Sequence, residues 1–209
     1  MRFLKISLLF ILIFSLFQGC SSWNTALNNE KFRSWEEVKT LAPLEKNDQV
    51  KIYEAKMHFF SNELDGLLII KKQGENHLRI AFTSKIGPRF FDIELKNGEF
   101  IRHYVMEYMD KNMLMGTLEN DFKLLFLQIE SNQEPKYRIK NQQEHIKLKY
   151  NKSNVIVKVP VGSKSVSKVI QKRNGFTKVV IHYDHQKTGE TIALKHKRLK
   201  ISMELKALP

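Results

Sequence analysis

The fold is decided by residues 78–107, which read LRIAFTSKIGPRFFDIELKNGEFIRHYVME. Apolar side chains take every second position in two segments of it, first at Leu78, Ile80 and Phe82 and then at Phe91, Ile93 and Leu95. A period of two is typical of a β-strand with one buried face. Gly87-Pro88 separates the two segments, and Asn97-Gly98, a strong hairpin signal, precedes a third over 99–107. The stretch predicts three consecutive antiparallel strands.

The same period extends towards the N-terminus. From Val50 onward, apolar and polar residues alternate, with Tyr53, Ala55, Met57 and Phe59 on one face. Residues 61–65 then read as a turn and residues 66–72 as a further strand, which a turn at Gly74-Glu75-Asn76 ends. Together with the first stretch, these segments predict a five-stranded antiparallel meander.

The period becomes helical after this meander. Apolar residues recur at spacings of three and four, at Leu114, Leu118, Phe122, Leu125 and Ile129. They predict a helix of about 18 residues that Asp110 caps and whose apolar face packs on the sheet. A capping box, Ser34-Trp35-Glu36-Glu37, predicts a second, short helix that ends before Pro43.

Five more strands are predicted after the long helix, over 137–140, 146–150, 154–159, 178–183 and 191–206. The fold class is therefore mainly β (α+β), a curled antiparallel sheet or incomplete β-barrel of about ten strands. A helix across the mouth of such a sheet leaves an apolar cavity, a common kind of ligand site. Its predicted lining consists of Met57, Phe59, Leu78, Ile80, Phe82, Phe91, Ile93, Leu114, Leu118 and Phe122.

The N-terminus has the three parts of a secretory signal. Positive residues lead into an apolar run over 6–17, which ends at Gln18-Gly19-Cys20. The run falls short of the ~20 apolar residues that span a bilayer. Its end resembles a bacterial lipobox, in which the cysteine receives palmitate-type acyl chains. The predicted division is a signal peptide over 1–19, lipidated Cys20 with a tether over 20–33, and one domain over 34–209. An ordinary signal with an unrelated cysteine is the alternative.

The residues after Cys20 bear on location. Ser21 and Ser22 follow the cysteine where an Asp would retain a lipoprotein in the inner membrane. By that sorting resemblance, we expect the periplasmic face of the cell outer membrane. Because Cys20 is the only cysteine, an intramolecular disulfide is excluded.

Charge is unevenly distributed along the chain. Residues 21–135 hold 15 Lys/Arg and 18 Asp/Glu, a net charge of −3, whereas residues 136–209 hold 18 and 4, a net charge of +14. A basic half of this kind fits nucleic acid, an anionic lipid surface or an acidic partner. Export argues against nucleic acid, so the phosphate-rich membrane surface is the preferred partner. A solvated sheet face that carries many lysines is the equally weighted alternative.

The sequence contains no recognisable catalytic constellation. It has no Gly-x-Ser-x-Gly elbow. Asp92 and Glu94 share a strand face that alternation predicts to be solvent-exposed, and His182 and His185 point to opposite faces of a strand, which disfavours joint metal binding. We therefore expect no enzyme activity, no cofactor and no metal.

Residues 66–127 resemble the LolA/LolB family of lipoprotein localisation factors. They read GLLIIKKQGENHLRIAFTSKIGPRFFDIELKNGEFIRHYVMEYMDKNMLMGTLENDFKLLFL. The shared features are a basic and apolar strand, a strand that ends in Thr-x-x-Ile-Gly at 83–87, a Phe-Asp-Ile-Glu-Leu strand at 91–95, and a helix after them. The lipobox matches the membrane-anchored branch of this family.

The resemblance implies a function and a set of partners. The protein would receive triacylated lipoproteins from a LolA-like periplasmic carrier, hold their acyl chains in the apolar cavity, and help to insert them into the outer membrane. It would act as a monomer, with a lipid anchor as its membrane attachment and no nucleic-acid partner. The family's membrane-insertion loop maps onto Lys85, Ile86 and Gly87, where Ile86 replaces a leucine. Two alternatives remain open, a binding protein for another lipid and a purely structural envelope lipoprotein with a filled core.

Overall fold

The computed structural model describes residues 33–44, 49–131, 133–186 and 189–209. The predicted signal peptide, Cys20 and most of the tether lie outside these residues. The described helices are α1 (Trp35–Lys39), a 3₁₀ helix (Glu107–Met109) and α2 (Asn112–Leu125). The strands are β1 (Val50–Phe59), β2 (Asn62–Gly74), β3 (His77–Thr83), β4 (Arg89–Lys96), β5 (Glu99–Val105), β6 (Lys136–Lys140), β7 (Gln143–Tyr150), β8 (Ser153–Pro160), β9 (Lys168–Arg173), β10 (Phe176–Gln186), β11 (Gly189–His196) and β12 (Ile201–Ala207).

All twelve strands form one antiparallel sheet, in the order β5-β4-β3-β2-β1-β12-β11-β10-β9-β8-β7-β6. The first and last strands of the chain, β1 and β12, pair at its centre, and β5 and β6 are its edges. The sheet is curled but does not close. The mainly β fold class is therefore confirmed, with twelve strands where about ten are predicted.

The two additional strands come from the C-terminal half. The predicted single strand over 191–206 is wrong, because the chain reverses between β11 and β12 through residues 197–200. Those residues, Lys-Arg-Leu-Lys, include no Gly, Pro or Asn to mark a turn, and Leu199 is 40% exposed there. Strand β9 is missed because its pattern is inverted, with Gln171 buried and Ile170 on the opposite, partly exposed face.

Local signals in the N-terminal half are confirmed in part. Asn97 and Gly98 both have positive φ, at 50° and 84°, as a two-residue hairpin turn requires. The predicted turn over 61–65 is wrong, because the chain already reverses at Phe60, whose φ is 57°, and β2 begins at Asn62. No sequence signal marks a phenylalanine for the left-handed region. Strand β5 ends at Val105, before the 3₁₀ helix, and not at Glu107.

Both predicted helices exist, but α2 differs from its prediction in length and in its cap. The capping box at α1 is confirmed, since the Glu37 amide donates to Ser34 Oγ and the Ser34 amide donates to Glu37 Oε2. Helix α2 has 14 residues, fewer than the predicted 18 or so, and Asp110 does not cap it. The carboxylate of Asp110 instead accepts a hydrogen bond from Arg102 at 2.8 Å.

Helix α2 packs with its apolar side on the sheet and helps to close one continuous core. The Phe91 ring centroid lies 5.6 Å from that of Phe82 on β3 and 6.0 Å from that of Phe122 on α2. Apolar strand residues from both halves of the sheet belong to the same core. Within the described ranges, no helix has the length and apolarity needed to cross a bilayer.

Candidate functional site

The ten residues predicted to line the cavity lie together in the core. They come from β1, β3, β4 and α2, and their exposed fractions run from 0% to 6%. Leu114 on α2 is the most exposed of them, at 6%. Because these side chains pack on one another, an acyl chain reaches them only if α2 moves away from the sheet.

Polar contacts hold the second half of α2 to the sheet. The Asp121 carboxylate lies 2.8 Å from His196 Nε2 on β11, and Tyr183 Oη donates to the carbonyl of Leu125 at 2.8 Å. The side-chain amides of Asn120 and Gln171 pair with each other. Burial raises the pKa of Asp121, and the contact with His196 opposes this shift. In the first turn of the helix, by contrast, Met113 is 61% exposed.

The loop between β3 and β4 presents Ile86 to solvent. The Ile86 side chain is 101% exposed, more than any other large apolar side chain among the described residues. The loop is nevertheless held in place. The Ser84 amide donates to the Pro88 carbonyl at 3.1 Å, and Lys85 Nζ donates to Glu54 Oε1 on β1 at 2.9 Å. The structure thus places Lys85, Ile86 and Gly87 together on a fixed loop, with the apolar side chain free.

Other exposed apolar residues lie at the same end of the sheet as Ile86. The antiparallel order brings the β1–β2, β3–β4, β9–β10 and β11–β12 turns to one end, called here the Ile86 end. Phe60, Phe176 and Leu199 are 46%, 61% and 40% exposed there. The guanidinium of Arg198 lies 4.6 Å from the centroid of the Phe176 ring. Sequence reasoning missed these residues, since an isolated apolar residue beside a turn is not by itself a signal.

A groove of about 340 Å³ lies on the outer face of β2, β1, β12 and β11, beside Lys85. Charges of both signs line it in a paired arrangement. Glu54 is opposite Lys206, and Lys56 stands between Glu204 and Asp65. The groove is therefore close to electrically balanced, which does not favour an ionic ligand of either sign.

The prediction that Asp92 and Glu94 face solvent is wrong. Asp92 is only 7% exposed, because Arg79 and Arg89 cover it with ion pairs. Glu94 accepts contacts from His103 at 2.7 Å and from His77 at 2.6 Å. The contact with His103 is the main cause that holds the pKa of Glu94 below its usual range, although burial opposes it. Carboxylates that are held in place by arginine and histidine side chains suit a structural network better than acid–base catalysis.

The two histidines considered for metal binding are separated by the strand. His182 is paired with Ala193 on the outer face, whereas His185 lies 3.8 Å from Glu190. In the part of the chain that the structure describes, no three His, Cys, Asp or Glu side chains are grouped as metal ligands would be.

Sequence comparisons find no match for this chain, whereas a comparison with solved structures does. No family model matches the chain, and no curated protein matches it in sequence. The crystal structure of a LolA superfamily protein from Nitrosomonas europaea is similar, at 9% sequence identity and a TM-score of 0.48. The match covers 84% of this chain and 90% of the other.

Proposed function

We propose that this protein is a lipoprotein of the outer membrane, anchored through Cys20, that binds lipoprotein acyl chains and helps to insert them into that membrane. The observation that supports it most is the full exposure of Ile86 on a loop fixed by its own hydrogen bonds and by the Lys85–Glu54 ion pair. An apolar side chain held away from the protein finds a favourable environment in the interior of a bilayer.

Burial energy gives this contact its strength. Transfer of an isoleucine side chain out of water stabilises it by roughly 1.5–3 kcal/mol. The hydrogen bond between the Ser84 amide and the Pro88 carbonyl restricts the loop before it binds, which lowers the conformational entropy lost on contact. Phe60 and Leu199 at the same end add further apolar area. Such contacts are weak alone. A lipid anchor would strengthen them, because it keeps the Ile86 end at a high effective concentration beside the membrane.

The proposed acceptor for acyl chains is the core face between α2 and strands β1, β3 and β4. Each buried CH₂ group contributes about 0.8 kcal/mol, so a shielded acyl chain is strongly favoured over an exposed one. Entry requires α2 to separate from the sheet at its first half, because the polar contacts described above hold its second half. Transfer needs no covalent step, since the bilayer is the better final environment for the chains.

A second candidate is a structural envelope lipoprotein that binds no acyl chains. The tight burial of the ten predicted lining residues favours it, since a filled core leaves no room for a ligand. The two candidates differ in a simple measurement, because only the first forms a stoichiometric complex with an acylated peptide.

Native mass spectrometry of the soluble form that begins at Ser21, with and without a triacylated peptide, tests the binding step. We expect a one-to-one complex that Ile80→Glu abolishes, and circular dichroism shows whether that variant is folded. Ile86→Glu should keep the complex but block insertion of the peptide into vesicles. Val161→Glu is the matched control, because Val161 is 52% exposed in the turn between β8 and β9, at the opposite end of the sheet. Absence of a complex with the wild-type protein would refute acyl binding, and normal insertion by Ile86→Glu would refute the role of the loop.

A further inference from the structure

One row of paired residues crosses the outer face of the sheet from β6 to β2. Each member is the cross-strand partner of the next, in the order Arg138, His145, Lys158, Lys168, His182, Ala193, Glu204, Lys56, Asp65. Where the row crosses β12, β1 and β2, charges of opposite sign alternate, at Glu204, Lys56 and Asp65. Between β6 and β10, the same row consists only of Lys, Arg and His.

The positions on either side of this row are also basic. The outward residues of β6–β9 include further lysines, Lys136, Lys140, Lys147, Lys149 and Lys172. None of the outward positions in these four described strands holds Asp or Glu, although Asp184 follows His182 on the same face of β10. We call these eight Lys/Arg residues with His145 and His182 the basic face. Five strands spaced about 4.8 Å apart give it a width of about 19 Å.

This arrangement opposes folding when no anion is bound. Like charges placed directly opposite on neighbouring strands destabilise a sheet. Burial lowers the pKa of Lys158 and of Lys147, and cations around each of them lower it further. For Lys158, the leading cation is its strand partner Lys168. A negatively charged surface over this face would relieve the repulsion, whereas solvent only screens it.

We propose that the basic face is a docking surface for the anionic, phosphate-bearing headgroups of a membrane. Besides the charges, Ile156, Ile170 and Val180 form a half-buried aliphatic row that lies between cations, as in an interfacial surface. Single-stranded nucleic-acid sites interleave aromatic side chains for base stacking, and the outward positions of β6–β9 hold no Phe, Tyr or Trp. The inference goes beyond the proposed function, because headgroup binding requires neither acyl binding nor insertion.

The test is co-sedimentation of the unlipidated form, which begins at Ser21, with phosphatidylcholine vesicles, with and without an equal amount of phosphatidylglycerol. The face variant is Lys158→Gln/Lys168→Gln/Lys172→Gln. The control, Lys71→Gln/Lys96→Gln/Lys164→Gln, loses the same net charge from exposed positions on β2, on β4 and in the β8–β9 turn. Since each lysine near an anionic surface contributes about 1 kcal/mol, we expect the face variant to bind phosphatidylglycerol vesicles roughly a hundredfold more weakly. The control should bind as the wild type does.

Three results would overturn the inference. The first is that the face variant and the control lose vesicle binding equally. The second is that the wild type does not prefer vesicles with phosphatidylglycerol. The third is that the face variant loses binding to a single-stranded oligonucleotide but keeps its vesicle binding, while the control keeps both. Thermal unfolding by circular dichroism checks that all variants fold. The acyl-binding proposal is judged separately, because the triacylated peptide complex is measured without vesicles.

Discussion

His196 Nε2 lies 2.8 Å from a carboxylate oxygen of Asp121, so an ionisable pair joins α2 to strand β11 within the core. The side chain of Asp121 is 1% exposed and that of His196 is 5% exposed. A pair at this depth adds little net stability over an apolar pair of similar volume, but removal of one partner leaves the other without compensation. The contact is one of the polar interactions that hold the second half of α2 on the sheet.

His196→Leu should destabilise the protein by about 3 kcal/mol, because it leaves the Asp121 carboxyl buried without this partner. The double variant Asp121→Leu/His196→Leu should recover most of the loss, since it removes both polar groups. Urea unfolding followed by circular dichroism measures both. A double variant as unstable as the single one would show that the cost comes from packing and not from the unpaired acid.

Two glycine substitutions should have opposite effects. At Gly66, an added Cβ would lie 2.1 Å from the carbonyl oxygen of Thr83, so Gly66→Ala must push β2 away from β3. We expect a loss of about 2 kcal/mol, as in other overpacked cores. At Gly116 in α2, nothing lies within 4 Å of the added Cβ, and Gly116→Ala should stabilise the helix by about 0.5–1 kcal/mol. An unchanged or raised urea midpoint for Gly66→Ala would contradict the expected contact, and a lowered midpoint for Gly116→Ala would contradict the expected gain in helix stability.

Acid should destabilise the protein through His145. Burial, and then the charges of Lys158, Arg138 and Lys140, lower the pKa of this histidine from 6.5 to about 4. The folded state thus binds the proton less well than the unfolded chain. The stability linked to the neutral form of His145 is therefore fully present above about pH 6.5, and it declines as the pH falls towards 4. After allowance for solvent screening, we expect a loss of about 1 kcal/mol from this group. Between pH 7 and about pH 4.5, the free energy of unfolding of His145→Gln should therefore fall by about 1 kcal/mol less than that of the wild type. Urea titrations at several pH values measure this difference. If the variant and the wild type have the same pH dependence, His145 does not cause the loss of stability in acid.

The sequence predicts those parts of the fold in which local pattern and tertiary role agree. Strong alternation at Tyr53–Phe59 and the Asn97-Gly98 turn are sufficient for the first meander. Strand β9 is missed because Gln171, buried beside Asn120 of α2, satisfies its amide only through a contact 51 residues away in sequence. The basic face likewise cannot be recognised from the sequence alone. Composition shows the excess of lysine, but only the register of β6–β10 aligns Lys158 with Lys168 and His145.

The candidate site also has a part that the sequence predicts and a part that depends on strand pairing. Ile86 is singled out in the sequence by the resemblance that maps a membrane-insertion loop onto Lys85, Ile86 and Gly87, and its side chain is fully exposed. Phe176 and Leu199 are not singled out, because they reach the same end of the sheet only through the pairing of β9 with β10 and of β11 with β12.

The Ile86 end should bind uncharged membranes through several apolar side chains of unequal weight. Ile86 is 101% exposed and Leu199 is 40% exposed, so Ile86 has more area to bury in a bilayer. With roughly 1.5–3 kcal/mol for a fully buried aliphatic side chain, Ile86→Ser should weaken binding to phosphatidylcholine vesicles by about tenfold or more. Leu199→Ser should weaken it by a smaller factor, and Val161→Ser, at the opposite end of the sheet, should have no effect. Because none of these changes alters charge, the preference for phosphatidylglycerol should stay the same in all three variants. If Ile86→Ser and Val161→Ser weakened binding equally, exposure alone, and not position at this end, would explain the apolar contact. If neither weakened it, the apolar contact of Ile86 with the bilayer would be refuted.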